Sequence, residues 1–89
     1  MFMTAKVSVE LLKQVEEAEV KEPQREIPVI VNIAPGADPV TLEQKGMVIK
    51  HVFSSISAVT GTLNAAEIRE IVRMDQVQSI EYDGAMRAL

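Results

Sequence analysis

Eighty-nine residues with a formal charge of −4 and no cysteine make one small domain, near the lower limit for independent folding. The charge balance excludes a nucleic-acid binder, since phosphate contacts need clustered Lys and Arg and single strands need aromatic stacking platforms. Without thiols there is neither a disulfide nor a thiolate metal site. Phe2, Phe53 and Tyr82 are the only Phe, Tyr or Trp residues, so the core is built from Val, Ile, Leu, Met and Ala, and its stability is modest.

Residues 1–26 carry ten charges, six acidic and four basic. Nothing in "MFMTAKVSVELLKQVEEAEV" has the length of a signal-peptide apolar region or approaches the ~20 apolar residues of a membrane span. No membrane partner and a cytoplasmic location are therefore expected. Val7, Leu11, Val15 and Ala18, with Leu12 alongside, fall on one face of a helix, and Ser8 is its N-cap. Residues 1–26 thus read as a charged, helical N-terminal extension. A helix this short needs its stripe packed on something. A loosely docked extension and a helix that packs or mediates weak self-association both fit the pattern.

From Ile27 the register changes. "IPVIVNIA", β-branched and closed by the loop signal "PGADP", reads as a first strand. Asp38 is an N-cap, Pro39 the first helical position and Gly46 the stop, giving a short helix over "PVTLEQK". "MVIKHVFSSI" is a second strand with imperfect alternation, Met47, Ile49 and His51 against Val48, Lys50 and Val52, so its faces stay unassigned. "SAVTGTL" is a third strand, in which Gly61 signals a bulge or a close backbone approach. Asn64 and Glu67 have capping-box spacing and open the helix "AAEIREIVRM". Ala65, Ile68, Ile71 and Val72 form its buried stripe, and Arg69, Glu70 and Arg73 face water. "VQSIEY" is a fourth strand, with Val77 and Ile80 in the core.

The order strand, helix, strand, strand, helix, strand is that of a ferredoxin-like βαββαβ sandwich. The expected fold is α+β, a four-stranded antiparallel sheet with two helices on one face, plus the N-terminal helix. The other sheet face is left open, and an uncovered, partly apolar sheet face is an interaction surface.

Catalytic chemistry is not legible. A hydrolase needs a nucleophile with a base in reach, whereas the single histidine, His51, lies in mid-strand and reads as an exposed or edge residue. The carboxylate pairs in "VEEAEV" and "EYDG" have no pocket around them. "PGADP" is a turn followed by an acid, wrong for a phosphate. No enzyme activity, cofactor or metal site is expected.

Residues 27–89 resemble the subtilisin propeptide and inhibitor family, the prodomains that chaperone and inhibit subtilisin-like serine proteases. "PVIVNIAPGAD" looks like that family's opening strand and "LEQKGMVIKHVFSSISAVTGTL" like its central helix, glycine and two strands. "NAAEIREIVRMDQVQSIE" looks like its second helix and last strand, and "EYDGAMRAL" like its tail. The order and spacing of the four carry the resemblance. Gln76 departs from it where a proline is common, and Tyr82 and Gly84 replace an acidic and a bulkier residue.

The resemblance implies an inhibitor and folding chaperone whose partner is a subtilisin-like serine protease. The open sheet face would dock on two helices of the protease, and the C-terminal tail, residues 83–89, would lie in the active-site cleft as an added strand. Leu89 would fill the first pocket like a cleaved product and Met86 the fourth, with Ala88 in a shallow site and Arg87 in solvent. Glu81 and Asp83 match family positions whose carboxylates cap N-termini of the protease helices. On this reading an apolar C-terminus is greasy because a partner buries it, and the inhibitor domain should act without residues 1–22. Two other readings stay open: a small oligomeric ferredoxin-like regulatory or ligand-sensing module, and a structural domain assembled through its N-terminal helix.

Overall fold

The alternation in "IPVIVNI" sets the architecture. In the computed structural model, which describes residues 6–84, this segment is strand β1 (Ile27–Ile33). Its residues Ile27, Val29, Val31 and Ile33 are at most 4% exposed, while Pro28, Ile30 and Asn32 are half-buried. Helix α1 (Val9–Lys21) precedes it; α2 (Val40–Gln44), β2 (Val48–Phe53), a 3₁₀ turn (Ser54–Ile56), β3 (Ala58–Leu63), α3 (Ala65–Ile71) and β4 (Val77–Tyr82) follow. The strands lie in the order β2-β3-β1-β4, each antiparallel to its neighbours. It follows that β1 runs parallel to β2 with β3 between them, and β3 parallel to β4 with β1 between them. The fold is α+β, a four-stranded antiparallel sheet with three helices.

One apolar cluster joins the sheet to all three helices. It contains Val29, Val31, Val59, Leu63, Val77 and Ile80 from the strands, Leu11, Val15 and Ala18 from α1, Leu42 from α2, and Ala65, Ile68 and Ile71 from α3. The period-two alternation of β1 places these contacts on one face of the sheet. No buried side-chain nitrogen or oxygen among the described residues lacks a hydrogen-bond partner. No helix among them is long and apolar enough to cross a membrane.

The N-terminal helix is bound tightly to this core rather than loosely docked. Ser8 caps it as expected, its side chain accepting from the Leu11 N–H at 3.2 Å. Leu11, Val15 and Ala18 are at most 1% exposed, so the stripe that would have served self-association is occupied within the chain. Glu19 pairs with Arg69 of α3, whose Nη2 donates to Oε1 at 2.9 Å. Val7 differs from expectation. It precedes the cap, and the extended backbone of Ser8 (φ −64°, ψ 154°) turns it out of the helix. There it makes a parallel bridge with Ile80, and the Ser8 N–H donates to the Ile80 carbonyl at 3.1 Å. Lys6 donates from Nζ to the carbonyls of Val72 and Met74 at 3.1 and 3.2 Å, tying the N-terminal segment to the chain just past α3.

Local chemistry sets the other boundaries. Pro35 and Gly36 (φ 86°) sit at the centre of a turn closed by the Ala37 N–H on the Ala34 carbonyl, the arrangement of a type II turn. The Asp38 carboxylate accepts from the Val40 N–H at 2.9 Å, the capping role expected of it. Helix α2 ends with the N–H groups of Gly46 and Met47 on the carbonyls of Glu43 and Leu42, a Schellman closure that needs the left-handed φ of 108° at Gly46. Both halves of the Asn64–Glu67 capping box form. Helix α3 is shorter than "AAEIREIVRM", because the N–H groups of Arg73 and Met74 turn to carbonyls three residues back, those of Glu70 and Ile71, although Val72 stays buried at 4%.

Strand β2 explains its own poor alternation. Its pairing with β3 slips between Ile49 and His51, which leaves Lys50 as the bulge residue and reverses the side-chain phase on either side of it. Gly61 lies opposite. A Cβ there would collide with the Val48 carbonyl oxygen, so the bulge and the close approach read from this glycine are both present.

Two outcomes are expected. Leu11→Ala removes a fully buried side chain and should lower unfolding free energy by about 2–5 kcal/mol in urea titration; a loose extension would lose under about 0.5 kcal/mol. Glu19 is held below the ordinary glutamate range chiefly by its hydrogen bond from Arg69; burial opposes the shift, and that cation's charge adds a lesser downward pull. Its folded value is depressed, so its contribution is complete above the unfolded carboxylate range and fades as pH falls through the folded value. Because the pair is partly exposed and screened, Glu19→Gln should cost only about 0.2–1 kcal/mol at neutral pH. Parent and variant should converge in acid.

Candidate functional site

The buried stripes of the helices are spent on one sheet face, which leaves the other to be read row by row from the register. The first row runs Val48, Thr62, Pro28; the second His51, Thr60, Ile30, Glu81; the third Phe53, Ala58, Asn32, Ser79. Its middle is lightly polar. Asn32 donates to the Ser79 hydroxyl at 2.9 Å, and the Thr62 hydroxyl donates to Glu26 at 2.7 Å. Its β2 margin is apolar and open, with Val48 57% and Phe53 45% exposed. His51 is exposed on this margin, its ring 5.9 Å from that of Phe53 and tilted by 40°. Among the described residues no three His, Cys, Asp or Glu side chains gather as a metal site would require.

The opposite margin belongs to β4. Glu81, directly across from Ile30, is exposed there. Two residues on, Asp83 continues the strand, its N–H donating to the Pro28 carbonyl at 2.9 Å. Strand periodicity therefore sets the two carboxylates side by side along the open face. Tyr82, between them, turns the other way and packs against the core, which accounts for an aromatic where the resembled family carries an acid. Met86, Arg87, Ala88 and Leu89, the remaining expected contact residues, lie outside the described residues.

Pro28 lies opposite the end of β4. The pair Pro28/Asp83 occupies a hydrogen-bonded position of the ladder, where each residue would donate to the other's carbonyl. Asp83 donates, but proline has no N–H to return. The register of β4 with β1 ends at Tyr82 opposite Val29, and the exposed Gly84 has helical backbone. Sequence reasoning passed over this proline because it concentrated on the strand's apolar alternation. The signal was present, since proline inside a central strand always marks a missing ladder bond.

Comparison with protein-family models, curated proteins and solved structures found no match. The geometry of the face and its margin thus carries the functional argument.

Because Glu81 is exposed on the open face, Glu81→Gln should leave the thermal midpoint nearly unchanged, within the roughly 0.5 kcal/mol usual for surface substitutions. A loss well beyond that would assign Glu81 to the fold and remove it from the interaction surface.

Proposed function

We propose that this domain inhibits a subtilisin-like serine protease, gripping it with the open sheet face while residues 83–89 enter the active-site cleft as a product-like strand. One observation carries the reading. Among the described residues no helix packs on the second sheet face, and in the sequence Glu81 and Asp83 on the margin of that face are followed by the apolar end "AMRAL". The fold we assign is ferredoxin-like. The β2-β3-β1-β4 order supports it, being the arrangement two interleaved βαβ units give when read from the β4 edge. Helix α1 is an addition to that plan.

The chemistry of the tail suits such a role. Added strands bind through main-chain hydrogen bonds and are selected by pockets for alternate side chains. Leu89 would occupy the pocket beside the catalytic serine and Met86 the fourth pocket, with Ala88 in a shallow site and Arg87 in solvent. Fully burying a Leu or Met side chain is worth about 1.5–3 kcal/mol. A carboxylate at a helix N-terminus is worth about 0.3–1 kcal/mol, so Glu81 and Asp83 should matter less than the two apolar anchors.

The test is inhibition of subtilisin with a chromogenic peptide substrate. The intact protein should inhibit, and removal of residues 85–89 should raise the inhibition constant about 10²- to 10⁴-fold, the range expected from losing both anchors. Leu89→Asp would bury an unpaired carboxylate in an apolar pocket and should weaken inhibition comparably. Equal inhibition by the intact and shortened proteins would overturn the mechanism.

A further inference from the structure

The two edges of the sheet are finished differently. Outside β4, Val7 and Ser8 are already seated against Ile80. Outside β2, no strand among the described residues pairs. Among the described residues seven large apolar side chains are exposed, and four of them, Val48, Val52, Phe53 and Ile56, lie on β2 or the turn that follows it. This edge is also free of acid. The chain has 13 Asp and Glu residues, yet none falls between residues 44 and 66, so two copies meeting here keep their negative surfaces apart.

We propose that β2 pairs antiparallel with β2 of a second copy about a twofold axis, joining the two sheets into one of eight strands. The bulge selects this occupant. Across the slip at Lys50, Val48, His51 and Phe53 belong to the open face, and Ile49 and Val52 to the helix-covered face. With the axis between Lys50 and His51, Val48 lies opposite Phe53 of the second copy and Ile49 opposite its Val52, so both faces continue without a break. Sliding by one residue sets open-face side chains against helix-side ones, which a sheet with one buried face does not tolerate. A bulge and a lysine guard an edge against ordinary strands, but a copy carrying the same bulge meets it in phase. The apolar patch is small, which places the dimer in the transient class of interfaces below about 1,200 Å². Self-association thus belongs to β2 and not to the N-terminal helix, whose stripe is buried in the core. The inference does not rest on the inhibitor reading, because β4 and the residues after it lie at the far edge.

Sedimentation velocity across the micromolar to millimolar range should show a reversible monomer–dimer equilibrium. V48K and F53E should each weaken it by at least about tenfold, a loss of ~1.4 kcal/mol, and the double variant should recover most of that, since each introduced lysine faces an introduced glutamate of the other copy. A mass that stays monomeric, single variants that associate like the parent, or a double variant no better than the worse single would each overturn the proposal. Hydrogen exchange on the unmodified protein gives a reading independent of substitution. Amides of β2 should slow selectively as concentration rises, and slowing elsewhere without β2 would place the contact on another surface.

Discussion

Burial of Ile27, Val29, Val31 and Ile33 along one side of β1 is the contact on which the rest of the domain depends. With strands on both sides of it, β1 can only be covered from one face or the other, and its alternation chooses the face. The shortage of aromatic residues raises the demand for area, because each aliphatic side chain contributes only about 1.5–3 kcal/mol when fully buried. Helices α2 and α3 span five and seven residues, too little to roof four strands. The thirteen residues of α1 supply the missing cover, which is why a segment that looks like an appendage in composition is part of the core in packing.

The same constraint produces the free surface. Once three helices are committed to one face, Pro28, Ile30, Asn32, Thr60 and Thr62 are left on the other, where their register neighbours are strand residues. Their mixture of threonine, amide, proline and a half-buried isoleucine tolerates water. The apolar exposure collects instead at the β2 margin and the acidic exposure at the β4 margin.

Local signals in the sequence were read well where one residue type has one physical job. Ser8, the Asn64–Glu67 box, Gly46 and Gly61 each mark a cap, a stop or a close approach, and each is found in that role. Non-local packing was less legible. Val7 shares the spacing of the helical stripe, yet the cap at Ser8 places it outside the helix, and its partner Ile80 lies far along the chain. The faces of β2 could not be assigned because a bulge inverts the phase midway, and only the register with β3 reveals where. The stretch after α3 is likewise tied to a residue distant in sequence, the Lys6 side chain on the carbonyls of Val72 and Met74. For the candidate site, period two was enough to put Glu81 and Asp83 on one side of β4, whereas the role of Pro28 emerged only from its pairing.

Pro28 links the fold to the proposed mechanism. Proline in a central strand costs a ladder bond, and here the cost falls at the last pair of β4 with β1, where a strand end frays most readily. On its other side Pro28 pairs with Thr62, keeping β1 and β3 in register. Only the β4 side loses a donor. Meanwhile Tyr82 anchors the strand to the core one residue before that loss, and Gly84, one residue after it, has no side chain to hold the chain down. Regular pairing of β4 with β1 thus ends at Tyr82, and the exposed Gly84 already has helical backbone. For the proposed mechanism the domain supplies the anchored root of the inserted strand, Tyr82 in the core, and a ladder that ends beside it.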